Sequence, residues 1–200
     1  FLDRKTAAID ALIEKKERLI ALLEEKRQAL ITQAVTKGLD PSVPMKESGI
    51  EWLGEIPAHW TMSALRWIRF PGTSITYGIV QAGPHVPDGV PYIRVSDMSG
   101  EELPLEGYQC TSHEIDAAYA RSRVRAGDLV VAIRASVGKV LPVPIALGTA
   151  NLTQGTAKVS VDPAHSPDFV MWSLRGASCQ DELWRQAKGE TLFRIERRES

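Results

Sequence analysis

Cysteine is almost missing from this sequence. Cys110 and Cys179 are the only two in 200 residues, far apart and in no C-x-x-C spacing. Neither a disulfide framework nor a zinc site is indicated, and both thiols are expected to be reduced and structural. His59, His85, His113 and His165 are scattered without ligand spacing, so no metal site is predicted. No apolar run approaches the length of a membrane span and no basic-then-apolar leader opens the chain, which makes a cytoplasmic protein with no membrane partner the expectation. Charge of one sign is lacking too. Lys and Arg number 24 against 25 Asp and Glu, and neither side of Pro57 is strongly basic. Any contact with phosphates must therefore come from local clusters rather than from the overall field.

Catalytic signatures are equally scarce. Gly138-Lys139 suggests a phosphate loop only superficially, because Ile133 stands where its first glycine is required and Val140 where Ser or Thr is required. No G-x-G-x-x-G follows a strand, and there is no Asn/Asp-Pro-Pro-aromatic tetrapeptide of the kind that holds a target amine during methyl transfer. Asn151-Leu152-Thr153 matches a glycosylation acceptor, which without a secretory leader is fortuitous. The expectation is a protein with no catalytic residues, no cofactor and no metal.

What is present starts with a helix. From Thr6 to Lys37 there is neither Gly nor Pro, Ala, Leu, Glu, Lys and Arg dominate, and apolar residues recur at helical spacing. Heptad positions a and d fall on Leu2, Ile9, Leu12, Leu19, Leu23 and Leu30, interrupted by Lys16 and Lys26 and widened by Ile13, Ile20 and Ile31. That seam suits packing against another helix, and Ile9, Leu12, Leu19, Leu23 and Leu30 are its predicted interface; the alternative is that the helix lies on its own domain. A rod of about 50 Å is longer than one domain needs. Gly38, Asp40, Pro41 and Pro44 end it. Residues 39–60 are expected to be a linker and a strap, docked by Trp52, Leu53, Ile56 and Trp60 onto the domain it introduces.

Residues 61–200 read as one mixed α+β domain. Strand-like runs are Ser74 to Val80, Pro91 to Val95, Asp128 to Arg134, Val137 to Pro142 and Thr156 to Val161. Thr111 with Glu114 resembles a capping box, Ser166-Pro167 opens a helix that Gly176 closes, and Ser178 with Asp181 opens another that Gly189 closes. The fold class is therefore α+β, a long coiled-coil-like helix followed by a mixed domain. The chain opens on Phe1 in sequence that is already helical, so a fragment of a longer protein is expected.

The stretch FLDRKTAAIDALIEKKERLIALLEEKRQALITQAVTKGL (Phe1 to Leu39), followed by KESGIEWLGEIPAHW (Lys46 to Trp60), resembles the DNA-sequence-specificity subunits of type I restriction-modification systems. GVPYIRVSDM (Gly89 to Met98), RAGDLVVAIRASVGKV (Arg125 to Val140), Asn151 with Gln154, and GETLFRI (Gly189 to Ile195) extend the resemblance over nearly the whole chain. In that family two recognition domains alternate with two antiparallel helices, so this chain matches one helix and one recognition domain. The resemblance implies a non-catalytic subunit of a restriction system that reads one half of a bipartite site in double-stranded DNA. It also implies a scaffold for methyltransferase subunits and, through them, the restriction subunit, with a partner helix from a second such region or a second copy. The alternative is an assembly adaptor that uses its coiled-coil helix and binds no DNA.

A reader of DNA needs side chains that pair with base edges and donors that hold phosphates. Strand alternation places Leu129, Val131 and Ile133 on one face and Val130, Ala132 and Arg134 on the other, leaving Arg134, Ser136 and Lys139 around a turn. Arg134 is the base-reading candidate there and Lys139, a flexible point charge, the phosphate-holding one, while Tyr77 and Gln81, and Asn151, Thr153 and Gln154, are the further DNA-contact candidates. The competing assignments are an Arg134–Asp128 pair, a solvated Lys139, and carboxamides that satisfy backbone groups. In the basic run of Arg185, Lys188, Arg194, Arg197 and Arg198, Lys188 and Arg194 are candidate phosphate contacts, with a solvated face as the alternative.

Overall fold

A computed structural model describes residues 2–189, with side chains described for 4–183. The chain divides after Ala58 into two units.

The first unit is helix α1 (Leu2–Lys37) and a small hairpin. The helix lies within the expected span of residues 1–38, and Gly38 ends it in the left-handed conformation (φ 78°) that glycine adopts freely. Asp40 then accepts hydrogen bonds from the Ser42 amide (2.9 Å) and hydroxyl (2.6 Å), which turns the chain. Strands β1 (Met45–Glu47) and β2 (Glu55–Pro57) pair antiparallel, β2 lies against α1, and Ile56 is buried. The strap is thus a hairpin of the helical unit as far as Ala58. Trp52 stays at its surface, while Trp60 lies edge-on to Phe169 in the second unit, with ring centroids 5.4 Å apart. Ile9, Leu12, Leu19, Leu23 and Leu30 are each between 48% and 57% exposed, so nothing in the helical unit covers the apolar stripe of α1.

The second unit is layered. A four-stranded antiparallel sheet runs β3 (Thr76–Tyr77), β9 (Thr156–Val159), β6 (Leu129–Ala132), β7 (Val140–Pro142). A three-stranded sheet runs β5 (Gln109–Thr111), β4 (Val90–Ile93), β8 (Asn151–Leu152), with β4 and β8 parallel. Residues on β6 alternate as the sequence pattern requires, but both faces are buried rather than one. Val130 and Ala132 join Ile93, Met98, Val124, Leu141 and Leu152 in one core, while Leu129 and Val131 join Val140, Val159, Val170, Met171 and Leu174 in another. Each fully buried Val or Leu contributes roughly 1.5–3 kcal/mol, which is why these short strands hold.

The second core is closed by α3 (Pro167–Arg175) and α4 (Ala177–Gly189). Ser166 caps α3 by accepting from the Phe169 amide, with Pro167 in its first turn and Gly176 at its end. The Ser178–Asp181 start does not hold, because α4 begins at Ala177, directly after Gly176. Likewise Ser112, not Thr111, caps α2 (His113–Ala118), its hydroxyl accepting from the Ile115 amide at 3.2 Å; Thr111 is instead the last residue of β5 and donates to the Ala82 carbonyl.

Candidate nucleic-acid interface

Because β9 runs antiparallel to both β3 and β6, the loop after β3, the loop before β9 and the loop after β6 leave the same end of the sheet. Backbone hydrogen bonds tie the three together. Ile79 N donates to Leu152 O (2.6 Å), Gly78 N to Thr153 O (3.1 Å), Gln154 N to Ile79 O (2.9 Å) and Ile133 N to Gly155 O (2.9 Å). Gly78 makes the approach possible, since a Cβ there would stand 1.9 Å from Leu152 O. The three segments picked out separately along the sequence thus share one surface.

The candidate residues do not all share its fate. Tyr77, Gln81, Arg134 and Ser136 are exposed, and Gln154 is half-buried with only its backbone engaged. Among the described residues Arg134 has no ion-pair or hydrogen-bond partner. The competing Arg134–Asp128 pair does not form: the two stand at opposite ends of β6, and Asp128 accepts from the Arg125 amide (2.8 Å) in the turn that precedes the strand. Thr153 directs its hydroxyl to Ile93 O at 3.3 Å. The Lys139 ammonium donates to Ser99 O at 2.9 Å, so it braces one loop against another instead of standing free. Ala135, between Arg134 and Ser136, holds the left-handed conformation (φ 57°), the one non-glycine residue among those described to do so. Such backbone costs about 1 kcal/mol and projects its neighbours from a tight tip.

Asn151 does not belong to the surface. It is fully buried, and its carboxamide is saturated: Nδ2 donates to Asp116 Oδ1 (2.7 Å) and Tyr119 O (3.3 Å), while Oδ1 accepts from Ser122 Oγ (2.7 Å) and Leu152 N (2.8 Å). No donor or acceptor remains for a base edge. Its role is to lock β8, and with it the Thr153–Gln154 turn, to α2. Asp116 in that network is itself buried and also bonded to the Arg123 guanidinium (Nε–Oδ2 2.8 Å). Burial pushes its carboxyl up, but the hydrogen bonds from Arg123 and Asn151 outweigh this and hold it below the usual carboxylate range. Lys158 on β9 donates to Arg123 O at 2.8 Å, and burial lowers its ammonium from the ordinary lysine value. Nothing local in Ala-Asn-Leu-Thr announces this network, whose members lie 29 to 35 residues away.

Sequence reasoning also passed over Arg94, which follows β4 at this same end. Its guanidinium is committed to Asp97, with Nε to Oδ2 at 3.1 Å and NH2 to Oδ1 at 2.8 Å, a pair that raises its already high basicity. For Lys188 only the backbone in α4 is described, and Arg194 lies outside the described residues. No group of three or more His, Cys, Asp or Glu side chains fit to hold a metal occurs among the described residues. Nor is any described helix long and apolar enough to cross a membrane.

No family model matches the chain. A curated protein, the type I restriction enzyme EcoBI specificity subunit of Escherichia coli, is 32% identical over 143 residues, which is 70% of this chain and 30% of that protein. The crystal structure of the HsdS subunit from Thermoanaerobacter tengcongensis matches with a TM-score of 0.56 and 18% identity, over 90% of this chain and 41% of that one. The shared architecture is a long helix with a sheet-rich domain. The chain spans less than a third of the curated relative's length.

Proposed function

We propose that this chain, a relative of the type I restriction enzyme specificity subunits, reads one half of a bipartite site in double-stranded DNA and carries out no chemistry of its own. The observation that carries this reading is the convergence of three loops at one end of a sheet buried on both faces, with Tyr77, Gln81, Arg134 and Ser136 exposed there and Gln154 half-buried beside them. Arg pairs bidentately with guanine and Gln with adenine, and both are best placed on loops held by a stiff scaffold. A near-neutral chain with one free arginine at the tip must gain selectivity from base edges rather than from bulk charge.

The uncovered stripe of α1 supports the second half of the proposal, that the helix joins a partner helix, from a second such region or a second copy, and so scaffolds methyltransferase subunits that in turn hold the restriction subunit. The test is selection from a pool of random-sequence duplexes by the chain assembled with a methyltransferase subunit. Recovery of a two-part consensus supports the reading. Recovery of no consensus, with assembly intact, makes the chain an adaptor that binds protein alone.

A further inference from the structure

The loop between β6 and β7 is fastened at its base and open at its tip. Ala132 N donates to Lys139 O (2.8 Å), Gly138 N to Ala132 O (2.9 Å) and Lys139 N to Ser136 O (3.1 Å), which closes the neck of the loop. Two tethers reach it from other parts of the fold. The Lys139 ammonium binds Ser99 O, and Gln180 of α4 donates through Nε2 to Gly138 O at 2.7 Å and to Leu174 O at the end of α3. Gln180 fits so closely that a Cβ on Gly138, already at φ +88°, would stand 2.2 Å from its Oε1. Arg175 binds Val140 O just beyond, through Nε and NH2 (2.9 and 2.6 Å). Arg134, Ala135 and Ser136 are the exposed residues between these anchors.

We propose that Gln180 is a positioning residue for the Arg134–Ser136 tip, so that α4 takes part in setting base preference without touching DNA. The inference rests on the DNA reading above. Base-edge hydrogen bonds tolerate little displacement, so an arginine whose loop drifts by an ångström loses its bidentate geometry while its charge remains. Gln180 should therefore affect discrimination far more than overall affinity.

The test uses the full chain in its assembled complex, with affinities measured for the selected duplex and each single-base variant at several salt concentrations. Gln180→Met keeps the length and apolar stem of the side chain but removes its donors. Arg134→Ala should lower discrimination at one or two base pairs by roughly tenfold. Gln180→Met should lower it at those same base pairs to a similar degree, add little on top of Arg134→Ala, and leave the salt slope unchanged. Asp181→Asn, on the exposed neighbour, should change nothing. Lys139→Met, which cuts the other tether, should lower discrimination at the same base pairs, with a fall in salt slope from the lost charge added to it, and stands in if Gln180→Met does not fold. Faster amide exchange at Gly138 and Lys139 in Gln180→Met would report the loosened loop without DNA. An unchanged preference profile, or an even loss at every position, overturns the proposal while leaving sequence-selective binding intact. A wild-type complex that selects no sequence removes the DNA reading and this inference together.

Discussion

Replacing Asn151 separates a lock from a reader. In Asn151→Ala, Ser122 can redirect its hydroxyl to Tyr119 O, which it already approaches at 2.8 Å, so that hydroxyl and that carbonyl remain satisfied. The Leu152 amide and Asp116 Oδ1 have no such substitute and are left buried with a partner missing. Each orphaned group costs about 1–3 kcal/mol, with the small void adding to it, so a loss of roughly 3–5 kcal/mol is expected. For a protein of this size that corresponds to a fall in Tm of about 10 °C, read by calorimetry or far-UV circular dichroism. Asn151→Asp should be worse near neutral pH than in acid. It sets a second carboxylate at hydrogen-bond distance from Asp116, and the two cannot both ionise. The folded-state pKa of the pair is then raised, so stability is retained at low pH and lost as pH rises through the raised value. If Asn151→Ala melts within about 2 °C of wild type and yet erases preference at one base pair, the lock assignment is wrong and Asn151 reads DNA.

Four further outcomes follow from the same structure. Gln154→Ala should relax preference at one or two base pairs of a single half-site by roughly 1–3 kcal/mol, and a ranking of variant duplexes unchanged in both this variant and Arg134→Ala would move the reading surface to Tyr77–Gln81. Leu19→Asp with Leu23→Asp should abolish helix-mediated association, since burying two unpaired carboxylates in an interface costs several kcal/mol, while the second unit keeps its melting behaviour; unchanged sedimentation of the complex would refute the seam. Asp116 has a lowered folded pKa, so its stabilisation is complete above the ordinary value of 3.8 and fades as pH falls through the lower folded value; Asp116→Asn should flatten that acid limb of the stability curve. Burial first, and then Glu182, push the Cys179 thiol up to about 11, so in the folded chain it should react with an alkylating reagent on the order of a hundredfold more slowly than an ordinary thiol of pKa 9.0; rapid labelling would show that the second core opens.

The parts of this molecule that were legible in its sequence are those written in short-range pattern. Helix α1 follows from an unbroken run of good helix formers, α3 from Ser166-Pro167 with a closing glycine, and β6 from a short Val-rich apolar run after Gly127, each a decision made within a turn or a strand pair. The fate of individual polar residues was not legible, because it is decided by partners far along the chain. Asn151 and Gln154 are three residues apart and of the same chemical kind. One meets Asp116 and Ser122 from across the domain and is consumed, while the other falls on a turn where only its amide is used. Lys139 shows the same dependence: a lysine beside a glycine turn suggests a phosphate contact, and the fold adds a bond from its ammonium to Ser99 O, forty residues away, that the sequence does not announce. Arg134 is the converse, since Asp128, the carboxylate nearest to it in the sequence before it, stands at the other end of β6 and the guanidinium meets no partner among the described residues. A buried polar group must be paired, and the sequence states neither which polar groups will be buried nor which distant residue arrives to pair them. On the reading proposed above, the exposed set of Tyr77, Gln81, Arg134 and Ser136 is what remains after the fold's internal hydrogen bonds are satisfied, and Asn151, Lys139 and Gln180 are polar side chains whose bonds tie the loops that carry it.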